Sequence, residues 1–202
     1  MARTPKVVED RREHIIDAAM RVFSQKGFTK ATNKDIAREA GITPGLIYYY
    51  FESKEALLKA IIETRSPVQL LNSLPQQMFE LPPEMFLRFL IQRVLGIVET
   101  ENFIRLARML LPEIVHSPEM ASMLTAIFQR VLGFLGGFLD EKMQCGELRR
   151  IDVALASQAI LGTVMGFVLR RQILQDPAAL QYSHEQIAQS VVETVLQGLL
   201  PR

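Results

Sequence analysis

The stretch TNKDIAREAGITPGLIYYYFESKEAL, residues 32–57, decides the fold of this 202-residue chain. Its first half carries Ile36 and Ala40 at helical spacing, and either Thr32 or Asn33 can cap the start of that helix. This pattern predicts a short helix with one apolar side. The polar residues between the apolar ones belong on its opposite, solvent-facing side.

A tight turn and a second helix follow. Gly41 stands where the end of a helix commonly needs a left-handed backbone. Thr43 is a suitable N-cap, and Pro44 suits the first position of a new helix. A helix, a glycine turn and a capped helix in this order make a helix-turn-helix unit, whose second helix enters the major groove of DNA. The sequence therefore predicts double-stranded DNA as a partner.

The flanking residues extend this pattern. An amphipathic helix is predicted over about residues 8–26, before Gly27, and further matching positions are Phe28, Thr32, Ile36, Ala37, Ile42, Tyr48, Phe51, Lys54 and Leu57. With this spacing, roughly residues 9–60 resemble the DNA-binding domain of TetR-type bacterial transcriptional regulators. The resemblance implies an all-α chain, in which a three-helix helix-turn-helix domain precedes a helical ligand-binding and dimerisation domain.

The resemblance also places ten residues at DNA contacts: Thr32, Lys34, Thr43, Pro44, Gly45, Leu46, Tyr48, Tyr49, Tyr50 and Lys54. The residue types suit that role. Gly45 allows close approach of the backbone, Leu46 can touch a thymine methyl group, and tyrosine hydroxyls and Lys54 can bind phosphates. For Tyr50, packing in the core of the small domain is an equal alternative.

The distribution of charge along the chain also favours DNA binding by the N-terminal region. The first 65 residues hold 12 Lys/Arg against 9 Asp/Glu, whereas the remainder holds 11 against 13. The positive charge therefore accompanies the predicted DNA-binding domain. Arg3, Lys6, Arg11 and Arg12 form a basic segment that either adds DNA contacts or is a solvated tail.

Other classes of protein fit the sequence less well. The single cysteine, Cys145, suits a reducing cytosol, and a cytoplasmic protein is expected. The longest strongly apolar run, residues 159–169, is shorter than the roughly 20 residues of a membrane-spanning helix. His14, His116 and His184 stand apart, without metal-ligand spacing, and no nucleophile or phosphate-loop motif is present. We expect no enzyme activity, no cofactor and no metal.

Helical periodicity continues to the end of the chain, with about nine helices in total. Prolines at 67, 75, 82 and 83 interrupt it, so the predicted domains are residues 1–65 and 66–202. Longer helices are predicted over about residues 83–100, 101–116, 118–144, 152–175 and 183–199.

The last two helices are apolar around much of their circumference, which favours one partner inside the chain and one outside it. TetR-like proteins dimerise through these helices. The expected homodimer interface comprises Ala156, Ile160, Thr163, Phe167, Ile187, Val191 and Val195. The alternative is a thick core within one subunit.

Methionine and phenylalanine crowd the second domain, and soft methionine side chains suit an adaptable apolar cavity. The expected ligand-binding residues are Phe86, Phe89, Phe103, Met109, Met123, Phe128, Phe134 and Met165, with Arg105, Arg108, Glu113 and His116 as candidates for a polar end. For any one of them, ordinary core packing or plain surface exposure is the alternative.

The predicted function is that of a homodimeric repressor, released from a palindromic operator by a small hydrophobic effector. A transcriptional activator of the same family, or a ligand-binding module without a specific DNA site, is the alternative.

Overall fold

The structure, a computed structural model, describes residues 5–199 and the side chains of residues 9–114 and 117–197. Within residues 5–199 the chain forms helices and no strand, which confirms the predicted all-α class. The elements are α1 (Pro5–Lys26), α2 (Asn33–Glu39), α3 (Pro44–Tyr50), α4 (Lys54–Arg65), α5 (Val68–Ser73), a 3-10 helix (Gln76–Glu80), α6 (Pro83–Val98), α7 (Glu101–His116), α8 (Pro118–Gln144), α9 (Val153–Val168), a π-helical turn (Leu169–Ile173), α10 (Pro177–Leu180) and α11 (His184–Leu199).

The chain divides into two compact units. The first comprises Met1–Ser66 with Glu101–Leu124, and the second comprises Pro67–Thr100 with Thr125–Arg202. The expected domains, residues 1–65 and 66–202, differ from these units in the segment Glu101–Leu124. This segment holds α7 and packs with the N-terminal helices. The sequence does not predict this packing, because periodicity shows which face of a helix is apolar but not which neighbour covers it.

In the first unit, α1 packs against α2, α4 and α7. Phe23 and Phe28 meet edge to face, with ring centroids 5.2 Å apart, where α1 gives way to the following loop. The fully buried side chains around them include Ile15, Ile16, Ile36, Ile47, Leu57 and Ile61. This core fixes the position of the helix-turn-helix.

In the second unit, α11 packs mainly against α6 and also against α9. The rings of Phe86 and Phe138 stack with centroids 4.1 Å apart. The core around them includes Leu87, Leu95, Leu139, Ile160, Ile187 and Val191. A capping box begins α11, since Ser183 and Gln186 exchange backbone-to-side-chain hydrogen bonds of 2.9 and 3.2 Å.

The helix predicted over residues 152–175 is interrupted at its C-terminal end. There α9 passes into the π-helical turn, which carries the buried Arg171. The guanidinium of Arg171 pairs with Glu99 and donates to the backbone carbonyls of Ala179 and Tyr182, each at 2.8 Å. These partners come from three other segments, so a pattern read along one helix does not reveal them.

Candidate functional site

Local hydrogen bonds cap the first helix of the helix-turn-helix at both of its ends. The backbone N–H of Asp35 donates to Thr32 Oγ1 at 3.2 Å, and the backbone N–H of Thr32 donates to Asp35 Oδ2 at 3.2 Å. This reciprocal capping box begins α2. At its other end Gly41 has φ of 63°, and the N–H of Ile42 donates to the carbonyl of Ala37 at 2.9 Å. The turn therefore has the left-handed glycine that its sequence predicts.

One side of α3 is buried and the other is open. Ile47 and Phe51 are buried against the rest of the unit. Tyr48 and Tyr49 are 60% and 71% exposed, which is unusual for aromatic side chains on a short helix. The neighbouring predicted residues Thr43, Pro44 and Gly45 are exposed, and Leu46 is half-buried. We call this surface, Thr43–Tyr49 without Ile47, the open face of α3.

Tyr50 lies at the edge of that face. Its ring meets the Tyr49 ring edge to face, with centroids 5.1 Å apart, and the residue is half-buried. Its hydroxyl is buried and has no hydrogen-bond partner among the described residues. The half-buried ring is consistent with either expectation for Tyr50, a DNA contact or packing in the small domain.

Lys54 is placed differently from the expected phosphate contact. Its ammonium donates to the carbonyls of Phe28, Thr29 and Ala31 at 2.8, 3.2 and 3.1 Å. It also lies 4.5 Å from the centroid of the Phe28 ring. An ammonium has three donors, and all three are used within the chain. In this arrangement Lys54 anchors the loop between α1 and α2 to the start of α4.

The same loop is held from α7. Thr29 Oγ1 donates to Glu113 Oε2 at 2.7 Å, and the Thr29 backbone N–H lies 3.4 Å from Glu113 Oε1. The hydrogen bond from the Thr29 side chain lowers the pKa of Glu113, and the charge of Lys54 adds to this effect. Glu113, a candidate for the polar end of a ligand site, instead holds the loop that precedes α2.

Two lysines beside the motif remain open to solvent. Lys34 on α2 and Lys30 in the preceding loop are exposed, and neither forms an ion pair within the described residues. By contrast, Lys26 pairs with Asp35 at 2.6 Å, and this bond lowers the pKa of the carboxyl. Lys30 was missed by the sequence reasoning, although its place beside Thr32 in a basic loop was a usable signal.

The predicted basic segment is only partly described. Arg11 is exposed on α1, while the Arg12 guanidinium lies 5.1 Å from the centroid of the Phe51 ring. Arg3 and the Lys6 side chain lie outside the described residues.

The expected ligand-binding residues are divided between the two units. Phe103, Met109 and Met123 belong to the first unit, and the others belong to the second. In the second unit Phe86 is wholly buried, the half-buried Phe134 lies beside it with ring centroids 6.3 Å apart, and Phe128 and Met165 are exposed. Hydrophobic composition alone does not distinguish core, surface and pocket.

Of this set, Phe89 alone lines a groove on the surface of the second unit. That groove has a volume of about 710 Å³ and lies between α5, the 3-10 helix and α6. We call it the α5–α6 groove. Its lining residues are Leu70, Ser73, Leu74, Pro75, Met78, Phe89, Gln92, Arg93, Gly96, Ile97 and Thr100.

The expected interface residues are also divided. Ala156, Ile160, Ile187 and Val191 are buried within the subunit, so they cannot face a second copy in this conformation. Val195 and Phe167 are half-buried, and Thr163 is exposed. The apolar side of α11 is largely occupied by α6, which corrects the expectation that both helices keep a second apolar face.

One exposed apolar surface runs along α9 and the π-helical turn. Its members recur at alternating spacings of four and three and are Leu155, Ala159, Gly162, Gly166, Leu169 and Ile173. We call this surface the α9 stripe. Leu155 and Leu169 are 70% and 49% exposed, and a Cβ atom added at Gly162 or Gly166 would meet nothing within 4 Å.

Two segments, Pro118–Gln144 and Val153–Ile173, are long and apolar enough to cross a membrane by length and composition alone. This is weak evidence, because helices of soluble proteins pass the same test. Among the described residues, no group of three His, Cys, Asp or Glu side chains is placed to hold a metal ion.

A packed helix-turn-helix with an exposed, hydroxyl-bearing second helix defines a DNA-binding regulator. The family model described as bacterial regulatory proteins, tetR family, matches residues 15–61, and that of the AefR-like transcriptional repressor, C-terminal domain, matches residues 85–198. The chain belongs to the TetR family of DNA-binding transcriptional regulators, and the predicted family and regulatory function are confirmed.

Individual relatives agree with this assignment. The chain is 27% identical over 188 residues to the fatty acid metabolism regulator protein of Bacillus subtilis, covering 92% of this chain and 93% of that protein. It is 29% identical over 160 residues to the transcriptional regulator UidR of Escherichia coli, covering 77% and 78%. The crystal structure of FadR from Bacillus subtilis in complex with stearoyl-CoA has a TM-score of 0.73 at 26% identity, covering 92% and 98%.

Proposed function

We propose that this chain is a cytoplasmic homodimeric repressor, which binds a palindromic operator and releases it when a hydrophobic or amphipathic small molecule binds. The observation that carries the DNA-binding part is the open face of α3, because exposed tyrosines on a rigidly packed helix offer hydroxyls and aromatic edges to a groove.

The proposed DNA contacts follow from exposure. Thr43, Pro44, Gly45, Leu46, Tyr48 and Tyr49 form the central set, and Tyr50, whose ring is half-buried and whose hydroxyl is buried, lies at its edge. Lys34 and Lys30 supply phosphate contacts, since both ammonium groups are free. Thr32 contributes through its place at the start of α2, and Lys54 acts by holding the loop.

The α9 stripe supports the homodimer. A stripe of small and apolar residues with spacings of four and three suits the close crossing of two helices. The two glycines on it allow the backbones to approach, and a two-fold axis lets one stripe cover its copy. Each dimer then carries two α3 helices, which meet half-sites about 34–36 Å apart or a multiple of that distance.

Release of the operator by an effector requires a structural connection between the effector site and the DNA-binding helix. The segment Glu101–Leu124 supports one, because α7 follows α6 of the second unit directly and yet packs in the first. Glu113 on α7 holds Thr29, three residues before the α2 cap. An effector that favours a shifted α7 would move this loop and with it the reading helix.

An effector with a long apolar part is supported by the Bacillus subtilis FadR structure, which was obtained in complex with stearoyl-CoA. The second unit of this chain offers the α5–α6 groove for such a molecule.

The test is a fluorescence-anisotropy titration of the purified chain against DNA from upstream of its own gene, at about 150 mM salt, with a scrambled control. We expect a preference of about 10³-fold or more for one sequence, found there or by unbiased selection from random DNA. Equal binding to all sequences after such selection would refute the operator-binding proposal.

Repression is tested separately with a promoter that carries the selected site. Transcription in vitro should fall when the chain is added and recover when an effector is added. An increase in transcription on addition of the chain would instead identify an activator.

A further inference from the structure

The lining of the α5–α6 groove is largely apolar. Its larger apolar side chains are all half-buried and are Leu70, Leu74, Met78, Phe89 and Ile97. Apolar side chains that are left partly exposed along a concave surface gain free energy when a ligand excludes water from them. A volume of about 710 Å³ falls in the range of about 300–1,000 Å³ that small-molecule sites occupy.

The polar part of the groove is cationic. Arg93 lies on its lining and is exposed, and its guanidinium stays 5.4 Å from the centroid of the Phe89 ring. Contact with that ring restricts the guanidinium to the edge of the apolar wall. No acidic residue lines the groove, and Arg93 forms no ion pair among the described residues. Gln92 beside it adds amide donors.

The groove is also built to keep its shape. Its α5 wall is tied to α8 by a hydrogen bond from Arg130 to the Asn72 side chain. Its α6 wall belongs to the helix that packs most extensively with α11. A site whose walls are already held loses less entropy when a ligand binds.

We propose that the α5–α6 groove binds an amphiphile with one anionic head group and a linear apolar chain, with the head at Arg93 and the chain along the apolar wall. This inference rests on the proposed function in one respect, since binding there is taken to release the operator. The head group is a carboxylate or a phosphate, since the guanidinium of an arginine can bind either one through paired N–H donors.

Gly96 offers a direct way to fill the groove. It is exposed on α6, it lines the groove, and a Cβ atom built on it meets nothing within 4 Å. The Cβ atom of a Gly96→Leu variant therefore introduces no clash, and the substitution raises helix propensity. Its side chain occupies space that the ligand chain needs, and the loss of two buried methylenes weakens binding about tenfold.

The experiment is isothermal titration calorimetry of the full chain with dodecanoate, dodecyl phosphate, dodecanol and dodecylammonium, the ions below their micelle concentrations and dodecanol below its solubility limit. We expect one site per subunit for the two anions and weaker binding of the alcohol and the amine. Gly96→Leu should weaken every bound ligand about tenfold. Arg93→Gln should weaken the anions about fivefold and leave dodecanol unchanged.

Two matched variants serve as controls. Arg88→Gln removes a guanidinium from the same helix, where it pairs with Glu84 outside the groove. Gly133→Leu adds the same side chain on α8, again with nothing within 4 Å of its Cβ atom. Both should bind dodecanoate as the unchanged chain does.

The outcomes separate the inference from the proposed function. Equal binding of dodecylammonium and dodecanoate, or unchanged binding by Gly96→Leu, overturns the groove assignment whatever the DNA results are. Preference for one anion over the other decides between phosphate and carboxylate. Binding of an anion in the groove without release of a selected operator overturns its role as effector, while the operator titration alone decides whether the chain is a sequence-specific repressor.

Discussion

The open face of α3 and the α9 stripe are both exposed surfaces, but they differ in chemistry. The first presents hydroxyls and aromatic rings, with Tyr48 and Tyr49 standing out from a well-packed small core. The second presents leucine, alanine and glycine along one line of a long helix.

This difference indicates what each surface binds. Nucleic acid offers phosphates and base edges, which tyrosine hydroxyls and lysine ammonium groups can contact. A stripe without polar side chains offers no hydrogen bonds, so its partner must also be apolar and closely fitting. A second copy of the same stripe meets both requirements.

A charge placed in the α9 stripe should produce the largest effect. We expect Ala159→Arg to give a folded monomer, because residue 159 is exposed but its new guanidinium would be buried between two copies. Operator affinity should fall at least about 100-fold, because a monomer carries one helix-turn-helix instead of two. Light scattering and anisotropy measure the two effects. Gln77→Arg, an exposed position in the 3-10 helix, is the control, and a dimeric Ala159→Arg chain would contradict the assignment.

Removal of an aromatic side chain from α3 tests the other surface. Tyr49→Ala should weaken binding to the selected site about tenfold and leave non-specific binding nearly unchanged. The melting temperature should stay within a few degrees, since the side chain is mostly exposed. Tyr182→Ala, at an exposed tyrosine of the second unit, is the matched control. Unaltered specificity in Tyr49→Ala would remove Tyr49 from the reading surface.

Two lysines in the first unit are expected to have different roles, since Lys34 is proposed to contact DNA and Lys54 stabilises the fold. Lys54→Met should lower the free energy of unfolding by about 1–2 kcal/mol, because three carbonyls lose their donor. Lys34→Met should leave stability unchanged and reduce the salt dependence of DNA binding by about one ion per contact. Denaturant titrations and salt titrations measure these effects, and the reverse pattern would show that Lys54 is the phosphate ligand.

The smallest expected effect concerns acid stability in the second unit. Burial acts to raise the pKa of Glu99, but its hydrogen bonds and charge interactions with His184 and Arg171 outweigh burial and lower it from its ordinary value of 4.5. Since the folded-state pKa is the lower one, the stabilisation is complete above 4.5 and is lost as the pH falls through the folded value.

Glu99→Gln should therefore flatten the decline in unfolding free energy below pH 4.5, with a loss near neutral pH of about 1 kcal/mol. Thermal melts between acid and neutral pH measure this. Glu84→Gln, at an exposed ion pair of α6, is the control. An unchanged acid profile in Glu99→Gln would show that this carboxylate contributes nothing to the pH dependence.

The sequence determined the first unit to a large extent, because its signals are local. A cap at Thr32, a left-handed glycine at residue 41 and a proline at residue 44 depend on backbone preferences within a few residues. The family, the all-α class and the exposed tyrosines of α3 followed from them. Lys54 was the exception, since its partners lie in a loop 23–26 residues away.

Only the tertiary structure decided which apolar residues are core, groove or stripe. Ala156 and Ile160 lie on the same helix as Ala159 and Gly162, yet the first pair is buried and the second is exposed. Three further features join segments far apart in sequence. They are the packing of α7 in the first unit, the hydrogen bond from Thr29 to Glu113 and the burial of Arg171. Periodicity shows that a helix has an apolar side, but the neighbour that covers this side is set by long-range packing.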